Sequence, residues 1–233
     1  MASEGDLDIR LFSAVGSGDL DAVKKLIGQG ANVNAKAEGG WTPLMVAAEK
    51  GYSDIAMLFL DNGADPNAKA EIRHSTALLI AARYKQSKIA EMLVQKGVDV
   101  NSCETDGTTP LLWSAEKGDI DTAKLLISGG ARLEAADSNI DFTPLMWAVN
   151  TGNIDMARLL IESGASPNTP TSYARTPLMW AAQKNAVDIA KFLIASGADV
   201  NAKDRNGRTA LGFAEAEGNG EMAKLLRSNG ATQ

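Results

Sequence analysis

One cysteine and one histidine are all that the 233 residues contain of the most versatile catalytic and metal-binding side chains. Cys103 has no second thiol to pair with, and no CxxC or Cys/His cluster is present, so disulfide, redox and zinc readings fail at the counting stage. His74, the only imidazole, lies in the polar stretch "EIRHS" and reads as a turn residue rather than a general base. No apolar run reaches the roughly 18 residues of a membrane-crossing helix. The opening "MASEGDLDIR" has neither the basic flank nor the apolar stretch of a secretory leader, so the expectation is a cytoplasmic chain without a membrane partner. An excess of positive charge is missing too: at −6 net charge the field repels phosphate backbones, which argues against nucleic acid. No cofactor and no metal site are expected.

What the chain has in quantity is repetition. Composition is ordinary for a globular protein, with 45% apolar and 22% charged residues. Within it, Thr followed by Pro or Ala and then Leu recurs at Thr42, Thr76, Thr109, Thr143, Thr176 and Thr209, at intervals of 33 or 34 residues. Gly30, Gly63, Gly97, Gly130, Gly164, Gly197 and Gly230 recur in step, each closing an apolar run. Each interval reads as helix, turn, helix, finger. Thr caps the free N–H groups of the first helix, and Pro at its first position gives up no hydrogen bond. Gly51, Gly118, Gly152, Gly218 and Asn185 suit the left-handed turn that ends that helix. Lys85 holds the same place in the third repeat, where a strained or differently closed turn is expected. The polar segments before each Thr read as β-hairpin fingers. Two intervals of 34 place one extra residue near Glu71 to Ser75 and Asp137 to Asp141, where the usual fingertip Gly is missing and a different tip is expected. Asn34, Asn67, Asn101, Asn168 and Asn201 read as residues that close their fingers. Asp121, Asp155 and Asp188 recur at helix starts, where acids suit the positive end of the helix.

The segment "TPLMVAAEKG…LFLDNGADPNA", Thr42 to Ala68, and its recurrences resemble ankyrin repeats over essentially the whole chain. The resemblance implies an all-α fold, an ankyrin-repeat solenoid of helix-turn-helix units with short β-hairpin fingers. It divides residues 1–233, as a single domain, into an N-terminal cap (1–37), five interior units (38–71, 72–104, 105–138, 139–171, 172–204) and a C-terminal cap (205–233). The polar "MASEGD" and the pair Glu215 and Glu217 with Arg227 suit the two caps, which keep the ends of a stack from exposing core. Met45, Leu79, Leu112, Met146, Met179 and Gly212 stand where the family usually has His.

At about 100° per residue, Leu145 faces the core, Met146 a neighbouring repeat, and Trp147, about 200° away, the concave groove. The same register holds Val46, Ile80, Trp113, Trp180 and Phe213. Three exposed indoles at roughly 200 Å² each would offer an upper limit of some 15 kcal/mol of burial, at about 25 cal/mol per Å². The residue before each Thr is a contact position that the resemblance implies. Trp41 and Phe142 at that position, with Tyr84, extend the apolar strip, and Arg175 and Arg208 add positive charge at one end. The candidate partner-binding set is therefore Trp41, Tyr84, Trp113, Phe142, Trp147, Arg175, Trp180, Arg208 and Phe213, with no catalytic residue. The function expected is a non-catalytic protein–protein interaction module, taking a protein or an extended peptide in the groove. Pro or apolar residues would sit over successive Trp rings, with an acidic residue toward the Arg end. The alternative is a structural or self-associating scaffold whose Trp stripe is buried in a homo-oligomer; a monomer or a homodimer fits one reading or the other.

Overall fold

Every Thr of the repeated motif does act as a helix cap. In the computed structural model, which describes residues 4–232, the Oγ1 of Thr42, Thr76, Thr109, Thr143, Thr176 and Thr209 accepts the N–H three residues on, at 3.2–3.4 Å. Such a cap contributes about 1 kcal/mol. At Met45 and Met179 the thioether sulfur in turn accepts the N–H of Thr42 or Thr176, at 3.5 Å. Methionine there does more than fill space, since it closes the reciprocal half of the cap.

The result is fourteen α-helices, and no strand, among the described residues. They form seven pairs: α1 (Glu4–Ser17) with α2 (Leu20–Gly28), α3 (Pro43–Lys50) with α4 (Ser53–Asp61), α5 (Ala77–Arg83) with α6 (Ser87–Gln95), and α7 (Pro110–Lys117) with α8 (Ile120–Ser128). Then come α9 (Pro144–Asn150) with α10 (Ile154–Glu162), α11 (Pro177–Lys184) with α12 (Val187–Ala195), and α13 (Ala210–Ala216) with α14 (Gly220–Ser228). The chain groups into two compact bodies, an N-terminal one ending at Ala131 and a C-terminal one starting at Arg132. In each body, first helices pack on first helices of the next pair and second helices on second helices. Leu44, Met45, Leu78, Leu79, Leu111 and Leu112 fill the N-terminal core, and Leu145, Met146, Leu178, Met179 and Leu211 the C-terminal one. Of the expected N-terminal cap, Met1 to Ser3 lie outside the described residues. At the other end Arg227 pairs with Glu215 across the surface of α13 and α14.

The first-helix turn is the same in every repeat, including the one that lacks Gly or Asn. Lys85 adopts φ +58°, beside +76° at Gly51 and +56° at Asn185, and Gln86 N–H reaches Ala81 C=O at 2.8 Å as Ala186 N–H reaches Ala181 C=O at 2.9 Å. The turn is strained, as expected, but not differently closed. A side chain in the left-handed region costs about 1 kcal/mol relative to Gly. Lys85→Gly is therefore expected to stabilise the N-terminal body by up to about 1 kcal/mol in urea unfolding, whereas Gly118→Lys should lose a similar amount.

The fingers are turns rather than hairpin ladders. Each carries only one or two backbone hydrogen bonds of its own, such as Glu104 N–H to Thr108 C=O and Gly107 N–H to Glu104 C=O, both at 3.0 Å, too few to make a strand pair. Two residues before each Thr the chain turns left-handed, whether the residue is Gly40, Gly107 and Gly207 or His74, Asp141 and Ala174. The two longer fingers thus keep the common tip conformation. In one of them the added residue is taken up inside the closing bond, which runs from Ala70 N–H to Ser75 C=O. Four of the five finger asparagines tie to the next repeat rather than only closing their own loops. Asn34, Asn101, Asn168 and Asn201 donate from Nδ2 to Gly63, Gly130, Gly197 and Gly230 of the following repeat, at 2.9–3.1 Å. At the one finger without Asn, Glu134 instead accepts the Ser166 N–H.

Candidate partner-binding site

The aromatic residues singled out in the sequence do not form one open strip. In the N-terminal body Trp41 is partly exposed at the end of its finger, its C=O accepting the Ala37 N–H. Tyr84 is 42% exposed and donates its hydroxyl proton to Glu49 at 3.1 Å. Trp113 is buried at 9% exposure against Leu79 and Ala82, with the Arg83 guanidinium 5.0 Å and the Lys117 ammonium 5.3 Å from its ring centre. Its Nε1 is buried without a hydrogen-bond partner, so the ring is held by its faces. Trp113 is therefore not the exposed groove ring that the helical wheel implies. The long side chains of Arg83 and Lys117, which the wheel ignores, come to lie over it.

The C-terminal body gathers the rest. Phe142, on the finger before α9, is 4% exposed and meets Trp147 and Trp180 edge-on, with ring centres 5.4 and 4.9 Å away. This ring sits against both indoles. Phe142 is a packing residue, while Trp147 and Trp180 remain partly exposed. Phe213 is buried at 3%, beneath both Arg175 and Arg208, each 4.4 Å from its ring centre. The Arg175 guanidinium also lies 4.8 Å from the Trp180 ring, so it contacts a π-face of each. Contacts of this kind contribute about 0.5–2 kcal/mol according to exposure.

Asp204 organises the charges and is absent from the sequence-based set. Its side chain is 2% exposed. Oδ1 accepts the N–H groups of Asn206 and Arg208, both at 2.9 Å, and Oδ2 accepts Arg208 Nε at 3.2 Å. Burial pushes its pKa up, but these backbone hydrogen bonds and the Arg208 charge outweigh that and hold it below the ordinary carboxylate value. Burial, then repulsion by Arg208, lowers the pKa of Arg175, while Asp204 opposes the fall. Glu104 plays the corresponding part in the N-terminal body: buried, it accepts from Ser75 Oγ at 2.7 Å and Arg73 Nε at 2.9 Å.

Between the rings and charges lies a cavity of about 510 Å³ wholly within the C-terminal body. Its wall includes the residues just before three of the Thr caps or their spatial equivalents, Phe142, Arg175 and Arg208, and Trp180 of α11. Its rim includes the residue three before each Thr: Ile140, Tyr173 and Asn206. Ile140 and Tyr173 are 48% and 67% exposed, and the Arg205 guanidinium lies 5.9 Å from the Tyr173 ring centre. Tyr173 C=O accepts the Arg205 N–H at 3.0 Å, which fixes the tip that carries the ring. Sequence reasoning passes over these rim residues because, within each finger, it takes only the position next to Thr as a contact position. The residue two further back flanks the same left-handed tip, and large apolar side chains at Ile140 and Tyr173 in otherwise polar fingers were the available signal.

The capped helix pairs, left-handed turns and fingers define a class of protein: the chain belongs to the ankyrin repeat family, whose model matches in three copies over residues 11–104, 78–171 and 167–233. Among individual proteins, the human Ankyrin repeat and KH domain-containing protein 1 is 36% identical over 108 residues, 46% of this chain but 4% of that protein. Human Protein phosphatase 1 regulatory subunit 27 is 41% identical over 76 residues, 33% of this chain and 49% of that one. The chain thus spans less than half the length of these relatives. The crystal structure of the ankyrin repeat domain of Bcl-3, a member of the IkappaB protein family, superposes with a TM-score of 0.82 at 25% identity, covering 94% of this chain and 97% of that domain. Ankyrin repeats are in general protein-binding and typically non-catalytic modules, since stacked repeats present extended surfaces rather than a single reactive cleft. No helix among the described residues is long and apolar enough to cross a membrane.

Proposed function

We propose that the chain is a non-catalytic interaction module whose C-terminal body binds an extended segment of a protein partner, with the cavity beside Trp180 as its anchor. The observation that carries this reading is the pairing of two exposed apolar fingertip residues, Ile140 and Tyr173, with a cavity walled by Phe142, Trp180 and Arg175. Exposed aromatic and apolar side chains beside a preformed cavity with few polar groups are the usual anatomy of an anchor site. The cytoplasmic compartment expected from the sequence suits such a module. Self-association through a free Trp stripe is less well supported, because Trp113 is already buried within its own body.

The test is selection of a displayed random dodecapeptide library on the chain, followed by affinity measurement with the Ile140→Ser/Tyr173→Ser variant. Both substituted side chains are exposed, so thermal unfolding should change little. Binding is expected to weaken at least tenfold. Selected peptides that bind this variant as tightly as the parent chain would place the partner surface elsewhere.

A further inference from the structure

Arg175 is a half-sheltered cation in the wall of that cavity. Its side chain is 20% exposed, and its guanidinium lies against Trp180 on α11 and Phe213 on α13. Among the described residues that guanidinium donates no hydrogen bond; its nearest anion, Asp204 Oδ2, is 4.0 Å from Nε. Asp204 is already engaged by Arg208 and by the backbone of its own finger. Two guanidiniums therefore share one carboxylate, leaving one positive charge uncompensated beside an apolar cavity, in a chain whose net charge is −6. A guanidinium stacked in this way has its fork fixed in place, and the ligand that matches a fixed fork is a planar anion with two acceptor oxygens.

We infer that Arg175 reads a carboxylate: the cavity takes an Asp or Glu side chain of an extended peptide, its oxygens on the Arg175 fork and an adjacent apolar side chain against Trp180, Ile140 and Tyr173. The inference rests on the anchor site proposed above and adds the chemistry of its occupant. Arg208 is not the reader, because its own carboxylate partner holds it. Asp204 also sets the preference among anions. A single negative charge neutralises the site, whereas a dianionic phosphate would bring its second charge toward a buried carboxylate, and like charges in a poorly solvated site repel strongly. The cavity should therefore prefer Glu or Asp to a phosphorylated residue at the same place.

Library-selected dodecapeptides supply the probe. They are expected to carry Asp or Glu near apolar residues. For a peptide that does, Glu→Gln in the peptide and Arg175→Gln in the protein should each weaken binding at least tenfold, and the two together no more than either alone. Phosphoserine in place of the acidic residue should bind several-fold more weakly. Binding that depends on Ile140 and Tyr173 but is indifferent to Glu→Gln, losses that simply multiply, or a preference for phosphoserine would each overturn the carboxylate assignment while leaving the anchor site standing. Binding indifferent to Ile140 and Tyr173 would remove the anchor site itself. If Arg175→Gln fails to fold, the Glu→Gln and phosphoserine peptides measured on the unaltered chain decide the matter.

Discussion

Asp204→Ala is expected to destabilise the C-terminal body by about 2–4 kcal/mol, although the residue belongs to a finger and not to a helix. The substitution removes the acceptor for the Asn206 and Arg208 N–H groups, and it leaves Arg175 and Arg208 facing each other without an intervening anion. Partial exposure of the arginines keeps the effect below that of a fully buried broken pair. The exposed Asp199, which caps only its own turn, serves as control, and Asp199→Ala should lose less than about 1 kcal/mol. The charge adds a pH dependence whose sign follows from the lowered pKa of Asp204. Its stabilisation is present above the ordinary value of 3.8 and is lost as the pH falls through the lower value of the folded state. Urea unfolding of the parent chain and of Asp204→Asn should therefore differ by a constant amount at neutral pH and converge as the pH falls below the ordinary carboxylate value and through the lower one of the folded state. A gap unchanged at the acid end would mean that the carboxylate charge contributes nothing.

Phe142→Ala should lose more, about 3–5 kcal/mol from the same body. The ring is buried at 4% and supports both Trp147 and Trp180 edge-on, so truncation leaves a cavity and removes two aromatic pairs of about 0.5–1.5 kcal/mol each. Phe142→Leu restores most of the volume and should lose less than half as much. Because helix pairs in repeat proteins depend mainly on their neighbours, the unfolding of the two bodies should separate in the Ala variant, which fluorescence of Trp147 and Trp180 can follow. A double-mutant cycle with Trp180→Ala should return a coupling of about 0.5–1.5 kcal/mol. A loss below about 1 kcal/mol for Phe142→Ala would show that the ring supports nothing.

The repeat period, the helix starts and the turn positions were legible because each rests on a local rule: a Thr oxygen reaching the N–H three residues on, or a left-handed turn after the first helix. Even Lys85 could be flagged from its position alone. The site was legible only in part. Trp180, Arg175 and Arg208 do come together around the cavity, and Trp147 is partly exposed, as its register implies. A helical wheel says which way a side chain leaves its own helix, not what another element lays over it. Arg175, five residues before Trp180, folds back from the finger onto that ring, and Phe142 reaches forward to the same ring from the preceding finger. Asp204 was overlooked because an acid in a polar finger looks solvated. Its burial follows from backbone N–H groups that converge on it once the finger closes.

The left-handed fingertip has a consequence for how the protein can change over time. The tip does not require glycine, since His74, Asp141 and Ala174 adopt it as Gly207 does, and a side chain added at Gly207 would meet nothing within 4 Å. The neighbouring position differs from finger to finger, being Gly39, Arg73, Asp106, Ile140, Tyr173 and Asn206 in turn. On the anchor-site reading proposed above, ligand preference can be rewritten at a fingertip such as that of Gly207 for a penalty of about 1 kcal/mol where Gly is given up, while the capped helices beneath stay as they are.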